Sequence, residues 1–197
     1  MNILFDKQLF GLVSVVLTFA AYAPYYRSIF KGATRPHIFS WIVWGIANGL
    51  VSAAQFDKGA GPAAWVTGVT AALCFGIILL AIRRGEKTIT RGDWISFIVA
   101  LAGMPLWYFA DDPLGAVILE TAVDMAGCYP TMRKSYAAPY SENLPSWTIS
   151  TIRSLLSVFA VEHYSLVTVL FPLATVLTNG GVSLMLIWRR RVAPARQ

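Results

Sequence analysis

Charge is scarce in this chain. Only 13% of its 197 residues are Asp, Glu, Lys or Arg, about half the share of an ordinary soluble domain, which is roughly a quarter. Cysteine is nearly absent: Cys74 and Cys128 each lie inside an apolar run. A disulfide framework or a clustered metal site is therefore not expected, and both read as small core residues. Histidine is equally rare, with His37 and His163 far apart. An intramembrane enzyme would want a nucleophile with a base, or grouped metal ligands, so we expect no enzyme, no cofactor and no metal. His163 reads as a solvated histidine at a helix end. The last apolar run, 165–188, contains no lysine, which disfavours a retinal Schiff base. The pI near 9.5 invites nucleic acid, yet no basic face or aromatic-interleaved patch exists to follow a phosphate backbone. That partner is set aside.

Apolar residues are what the chain has in abundance, 56% of the total, with mean hydropathy +0.59. They come in blocks at 8–30, 36–56, 62–82, 93–109, 113–136, 145–164 and 165–188. Each is near the ~20 residues that carry a helix across a ~30 Å hydrocarbon core, where internally bonded backbone forces helical structure. The expectation is an all-α polytopic membrane protein of seven transmembrane helices. Connections are short and marked by Gly32, Gly59 to Pro62, Gly85 and Asp111-Asp112-Pro113. The separation of the last two blocks, only Glu162 to Ser165, is the thinnest. The first block lacks the pattern of a cleaved leader and reads as the first helix.

Orientation follows from the loop charges. Of the sixteen Lys and Arg residues, Lys7 and Lys58 fall on one side and Arg153 lies inside a helix. The others, from Arg27 through Arg83, Arg133 and Lys134 to Arg196, fall on the opposite side. That side is expected to be cytoplasmic, in a plasma (inner) membrane, with the N-terminus outside. Trp65 and Trp107 near outer ends, and Trp41, Trp94, Trp147 and Trp188 near inner ends, sit where interface anchors belong.

An offset of 106 residues aligns two halves without gaps. Pro24 falls on Pro130, Arg27 on Arg133, Ser40-Trp41 on Ser146-Trp147, and Arg83-Arg84 on Arg189-Arg190. The expected plan is a three-helix repeat at 8–84, a linker helix at 93–109 and a second repeat at 114–190. An odd linker leaves both triplets in one orientation, related by an axis along the membrane normal, as in some secondary transporters.

The stretch Tyr22-Ala23-Pro24-Tyr25-Tyr26-Arg27-Ser28, with Ser40-Trp41 and Trp44-Gly45-x-x-Asn48, resembles the PQ-loop pattern. The second half repeats it as Tyr129-Pro130-Thr131-Met132-Arg133 and Ser146-Trp147. Together with the 3-1-3 plan, this resembles the PQ-loop/SWEET (MtN3-like) superfamily across essentially the whole chain. Tyr25 and Thr131 stand where the pattern has Gln. The resemblance implies a solute carrier with a pocket between the triplets, gated by bending near Pro24 and Pro130. Each proline removes a backbone hydrogen bond from its helix, which suits a hinge and equally suits mere packing.

Ionisable groups inside a membrane are costly and are functional candidates by default. Glu120 and Asp124, four apart, share a helix face. Asp124 and Arg153 come out at similar depths when counted at 1.5 Å per residue from their helix ends, so an ion pair is expected, either static or functional. Glu120 is expected to lack an opposite charge. Trp44 and Asn48 share a face and offer a stacking surface and a donor–acceptor amide. Thr175, Thr178 and Asn179 precede Gly180-Gly181, where backbones approach closely. SWEET-like proteins are similar in placing Trp and Asn around the solute, although the counterpart of Asn179 is Leu73. The expected substrate-binding residues are Trp44, Asn48, Asn179 and Thr175; the proton-coupling or ion-pair residues are Asp124, Glu120 and Arg153. The expected function is alternating-access transport of a small polar solute, proton coupling being one form of it. The alternative is a seven-helix receptor or sensor. Partners are the solute and the bilayer, with homo-oligomer formation left open.

Overall fold

The computed structural model describes residues 3–57, 62–108, 113–159 and 166–192, with some side chains near the helix ends, Glu120 among them, outside that description. Among the described residues the chain is all-helical, with seven α-helices and no strand: α1 (Ile3–Phe30), α2 (Ile38–Asp57), α3 (Pro62–Arg84), α4 (Arg91–Tyr108), α5 (Pro113–Ala137), α6 (Leu144–Phe159) and α7 (Leu166–Val192). One 3-10 turn, Pro139–Ser141, precedes α6. The helices coincide with the seven apolar blocks to within a few residues; the separation expected near 162–165 lies outside the described residues. Among those residues no helix is long and apolar enough to cross a membrane.

Local sequence chemistry sets the ends. α3 and α5 open on proline, whose missing N–H is harmless in a first turn. Thr90 and Asp93 form a reciprocal cap on α4: Thr90 N–H donates to Asp93 Oδ2 (2.7 Å) and Asp93 N–H to Thr90 Oγ1 (3.3 Å). Asn143 caps α6 by accepting from Ser146 N–H at 3.0 Å. After α1 the chain reverses at Gly32, with φ of +72°, the left-handed conformation glycine adopts without a Cβ penalty. There the amides of Gly32 and Ala33 return to the carbonyls of Ile29 and Ser28.

The packing has a simple plan. α1 lies against α3 and α6, α2 against α3 and α5, and α7 against α5 and α6. These contacts close a ring in the order α1–α3–α2–α5–α7–α6. Among the described residues the backbones of α1 and α2, and those of α5 and α6, do not approach closely, although the Tyr25 and Trp41 rings of α1 and α2 meet at 4.9 Å. α4 stays outside the ring, against α5 and α2. Three apolar clusters hold the ring. Tyr25, Ile29, Trp41, Cys74 and Ile77 join α1, α2 and α3. Cys128, Trp147, Val182 and Leu186 join α5, α6 and α7. Val43, Ala100 and Val123 join α2, α4 and α5. Trp44 packs on the first two of these clusters and so bridges the ring.

Trp41 and Trp147 depart from their expected role. Both are buried core residues, whereas Trp94 and Trp188 are exposed, at 52% and 50%. Position along a helix places all four near the same end, but only facing separates an interface anchor from a core ring. The side chains of Trp65 and Trp107 lie outside the described residues.

Candidate functional site

Two stripes with the same spacing face the ring interior. On α5, Asp124, Gly127, Cys128 and Thr131 follow one another at i, i+3, i+4 and i+7, one side of a helix. Thr131 Oγ1 donates to Ser40 Oγ of α2 at 2.9 Å. A side-chain carbon at Gly127 would meet Val43 Cγ1 at 2.7 Å and Trp44 Nε1 at 3.5 Å, so glycine lets α2 approach α5 here. On α1 the matching stripe is Thr18, Ala21, Tyr22 and Tyr25. Tyr22 Oη lies 3.4 Å from Cys74 Sγ of α3, and Tyr25 Oη donates to Glu142 Oε1 at 3.1 Å.

The middle of the ring has an aromatic floor. Trp44 meets Trp41 edge-on at 5.2 Å and Trp147 at 6.0 Å between ring centroids. One turn further along α2, Asn48 Nδ2 donates back to the Trp44 carbonyl at 2.8 Å. Asp124 stands one turn outward of Gly127 and has neither a hydrogen bond nor an ion pair among the described residues. Arg153 Nη1 donates to Thr18 Oγ1 of α1 at 3.0 Å, and its buried Nε has no partner among the described residues.

The expected Asp124–Arg153 pair is therefore not formed. The α6 backbone runs against α1 and makes no close approach to α5, so the guanidinium finds a threonine hydroxyl across the seam. Asn179 of α7 donates to Ser154 Oγ of α6 at 3.3 Å, an interhelical bond within one triplet. Thr178 Oγ1 donates to the Thr175 carbonyl at 3.3 Å. Trp44, Asn48, Arg153 and Asp124 are brought to the seam between the triplets, while Thr175 and Asn179 belong to α7 behind it. Pro24 and Pro130 lie inside continuous helices; the Pro24 carbonyl accepts from Asn143 Nδ2 across the seam at 3.1 Å.

Sequence reasoning passed over the polar lattice that closes the Arg27 and Lys134 end of the ring. Glu142, fully buried, binds the Lys134 ammonium and the Tyr25 hydroxyl on one oxygen and Trp147 Nε1 (3.1 Å) on the other. Lys134 Nζ also reaches the Arg35 carbonyl, and Arg35 N–H donates to the Ser141 carbonyl at 2.8 Å. The loop after α1 and the loop after α5 are thus bonded to each other. Beside them, Arg133 holds Asp93 through Nε (2.8 Å) and Nη2 (2.7 Å), tying α4 to α5. His37, buried just before α2, has Nε2 3.4 Å from Asp93 Oδ2, out of hydrogen-bonding alignment. Burial holds the His37 pKa below the ordinary histidine value; Asp93 pulls it up, and Lys134 and Arg133 push it down. The signal available in the sequence was Glu142 itself, a lone acid in an otherwise basic stretch.

Comparison with family models, with curated proteins and with solved structures gives no match.

Proposed function

We propose that this chain is a membrane-embedded carrier that moves a small polar solute through the six-helix ring by alternating access between two three-helix units. The observation that carries the reading is the seam itself. Polar groups of opposite triplets face one another there, Arg153 of α6 with Thr18 of α1 and Glu142 of the loop before α6 with Tyr25 of α1, while no helix is inserted between them. Buried polar side chains are costly, and a scaffold with no solute would fill that seam with apolar packing.

A bilayer setting is supported by the outward faces. Leu12, Val16 and Phe19 on α1, Ile95, Ile98 and Val99 on α4, and Leu173, Leu177 and Leu184 on α7 are all exposed, Leu177 at 74%. In water such continuous apolar faces would be unusual on a monomer. In length alone, α1, α3, α5 and α7, of 28, 23, 25 and 27 residues, match a ~30 Å core at 1.5 Å per residue, although none among the described residues is both long and apolar enough to cross a membrane. The basic residues gather at one end, which the charge rule assigns to the cytoplasm. Each triplet places its third helix between its first and second. Equivalent packing in both triplets, with Pro24 and Pro130 in matching places, supports the parallel-repeat plan and the PQ-loop/SWEET-like reading.

Equilibrium exchange into proteoliposomes tests this, screened over sugars, amino acids and vitamins. Ser40→Cys/Thr131→Cys supplies the control, because the hydroxyls they replace are 2.9 Å apart across the seam. Exchange of a solute that stops on oxidation and returns with reductant is the expected result. Exchange unaffected by the closed cross-link, or no exchange of any solute, would remove the carrier reading.

A further inference from the structure

Resting on the carrier reading, we infer that the seam binds a zwitterion, with its cationic group at Asp124 and its anionic group at Arg153. Both charges line the ring interior one to two turns outward of the Trp44 floor. They sit on α5 and α6, whose backbones do not approach closely among the described residues, and no ion pair joins the two there.

Each has capacity left over. Arg153 spends Nη1 on Thr18, while its buried Nε remains without a partner among the described residues. A carboxylate placed there would take the kind of charge-assisted contact for which a guanidinium is built. Asp124 is an acceptor with no donor among the described residues, and an ammonium has donors and no acceptors. Leaving either charge desolvated and alone is unfavourable, and a solute carrying both opposite charges satisfies both at once. A neutral sugar would leave both charges unpaired, and a single-charge solute would leave one. Asn48 and the Trp44 ring add a polar rim and an apolar floor between the two ends. The first triplet has Thr18 where the second has Asp124, and Ala47 where the second has Arg153. The site is therefore polarised, and a solute has one preferred orientation in it.

Titration calorimetry on the purified wild-type chain tests the charge requirement without any variant. The probes are L-alanine, 4-aminobutanoate and glycine betaine as zwitterions, lactate and butylamine as single-charge analogues, and glucose as the neutral reference. At least one zwitterion should bind, and lactate and butylamine should bind at least about tenfold more weakly, the size expected for losing a charge-assisted contact. Asp124→Asn should bring the zwitterion down to the lactate level, and Arg153→Gln down to the butylamine level. If either variant fails to fold, the wild-type comparison alone decides. No binding by any zwitterion, or equal binding by glucose or a single-charge analogue, overturns the inference. The two readings fail differently. A bound zwitterion with no exchange in proteoliposomes sinks the carrier and leaves the site, whereas glucose exchange indifferent to Asp124→Asn sinks the site and leaves the carrier.

Discussion

Tyr25 and Glu142, 117 residues apart, are joined by a buried hydrogen bond of 3.1 Å that crosses the seam between the two triplets. It belongs to a lattice in which one carboxylate serves a phenol, an ammonium and an indole at once. Any motion that opens this end of the ring must break it.

The Glu142–Lys134 pair is buried on both sides. Removing one member strands the other, at a typical cost of about 3–5 kcal/mol, while removing both leaves no uncompensated charge. Glu142→Ala is expected to lower the thermal unfolding midpoint sharply. The double change Glu142→Ala/Lys134→Met should recover most of it, and a double variant as unstable as the single would contradict the pairing.

The two core tryptophans should respond differently. Trp147 Nε1 donates to a carboxylate, whereas the Nε1 of Trp41 has no aligned partner among the described residues. Trp147→Phe loses a hydrogen bond to a charged group, about 1.5–3 kcal/mol, while Trp41→Phe discards a donor that was already unpaired. Chemical denaturation of both variants should therefore give clearly unequal losses.

Arg133 meets Asp93 with two nitrogens and also reaches the Thr88 carbonyl at 2.9 Å. Lysine keeps the charge but has no planar fork. Arg133→Lys is expected to cost about 1–3 kcal/mol and to loosen α4 against α5, read as faster amide hydrogen exchange at the start of α4. Unchanged exchange there would show that charge alone suffices.

His37 gives the fold a pH dependence of definite sign. Its pKa is lower in the folded chain than in the unfolded one, where it is about 6.5. The unfolded state therefore takes up the proton first as pH falls, and stability declines. This contribution is fully present above about pH 6.5, is lost as pH drops toward the lowered folded value, and then levels off. His37→Gln should flatten that part of the stability profile. A wild-type profile level between pH 7 and 5 would remove the assignment.

Gly76 lies against Tyr26. A carbon added there would come within 2.2 Å of Tyr26 Oη, which itself donates to the Leu73 carbonyl at 2.6 Å. Gly76→Ala should destabilise by about 1–3 kcal/mol through overpacking. Tyr26→Phe, which removes the clashing oxygen, should recover part of that loss in the double variant, and strictly additive effects would argue against the contact.

The helices were legible because a run of apolar residues reports helix length directly. Trp41 and Trp147 do lie near one end, each packed near Trp44. What a linear count leaves open is facing. Arg153 turns to Thr18 because α6 is seated on α1, and nothing in the spacing of Asp124 and Arg153 encodes which helices adjoin. The same gap hid Glu142 and Lys134. A lysine in the last turns of a helix ordinarily reads as a solvated charge, and only the meeting of the loops after α1 and α5 buries this one. That Trp44 and Asn48 share a face was legible because i, i+4 spacing is a property of a single helix, and the Asn48 bond to the Trp44 carbonyl reflects it.

The position equivalent to Glu142 in the first triplet is Pro36, and this fixes how the two halves depend on each other. Two copies of the first triplet would bring Pro36 and Ser28 to the closing end, where Glu142 and Lys134 now stand, with no acid for a tryptophan Nε1 to meet. Two copies of the second would bury a second acid–lysine pair at that end. The latch therefore needs unlike halves on a single chain. A mutation at Glu142 cannot be covered by its counterpart, so damage to one loop is felt by the whole ring.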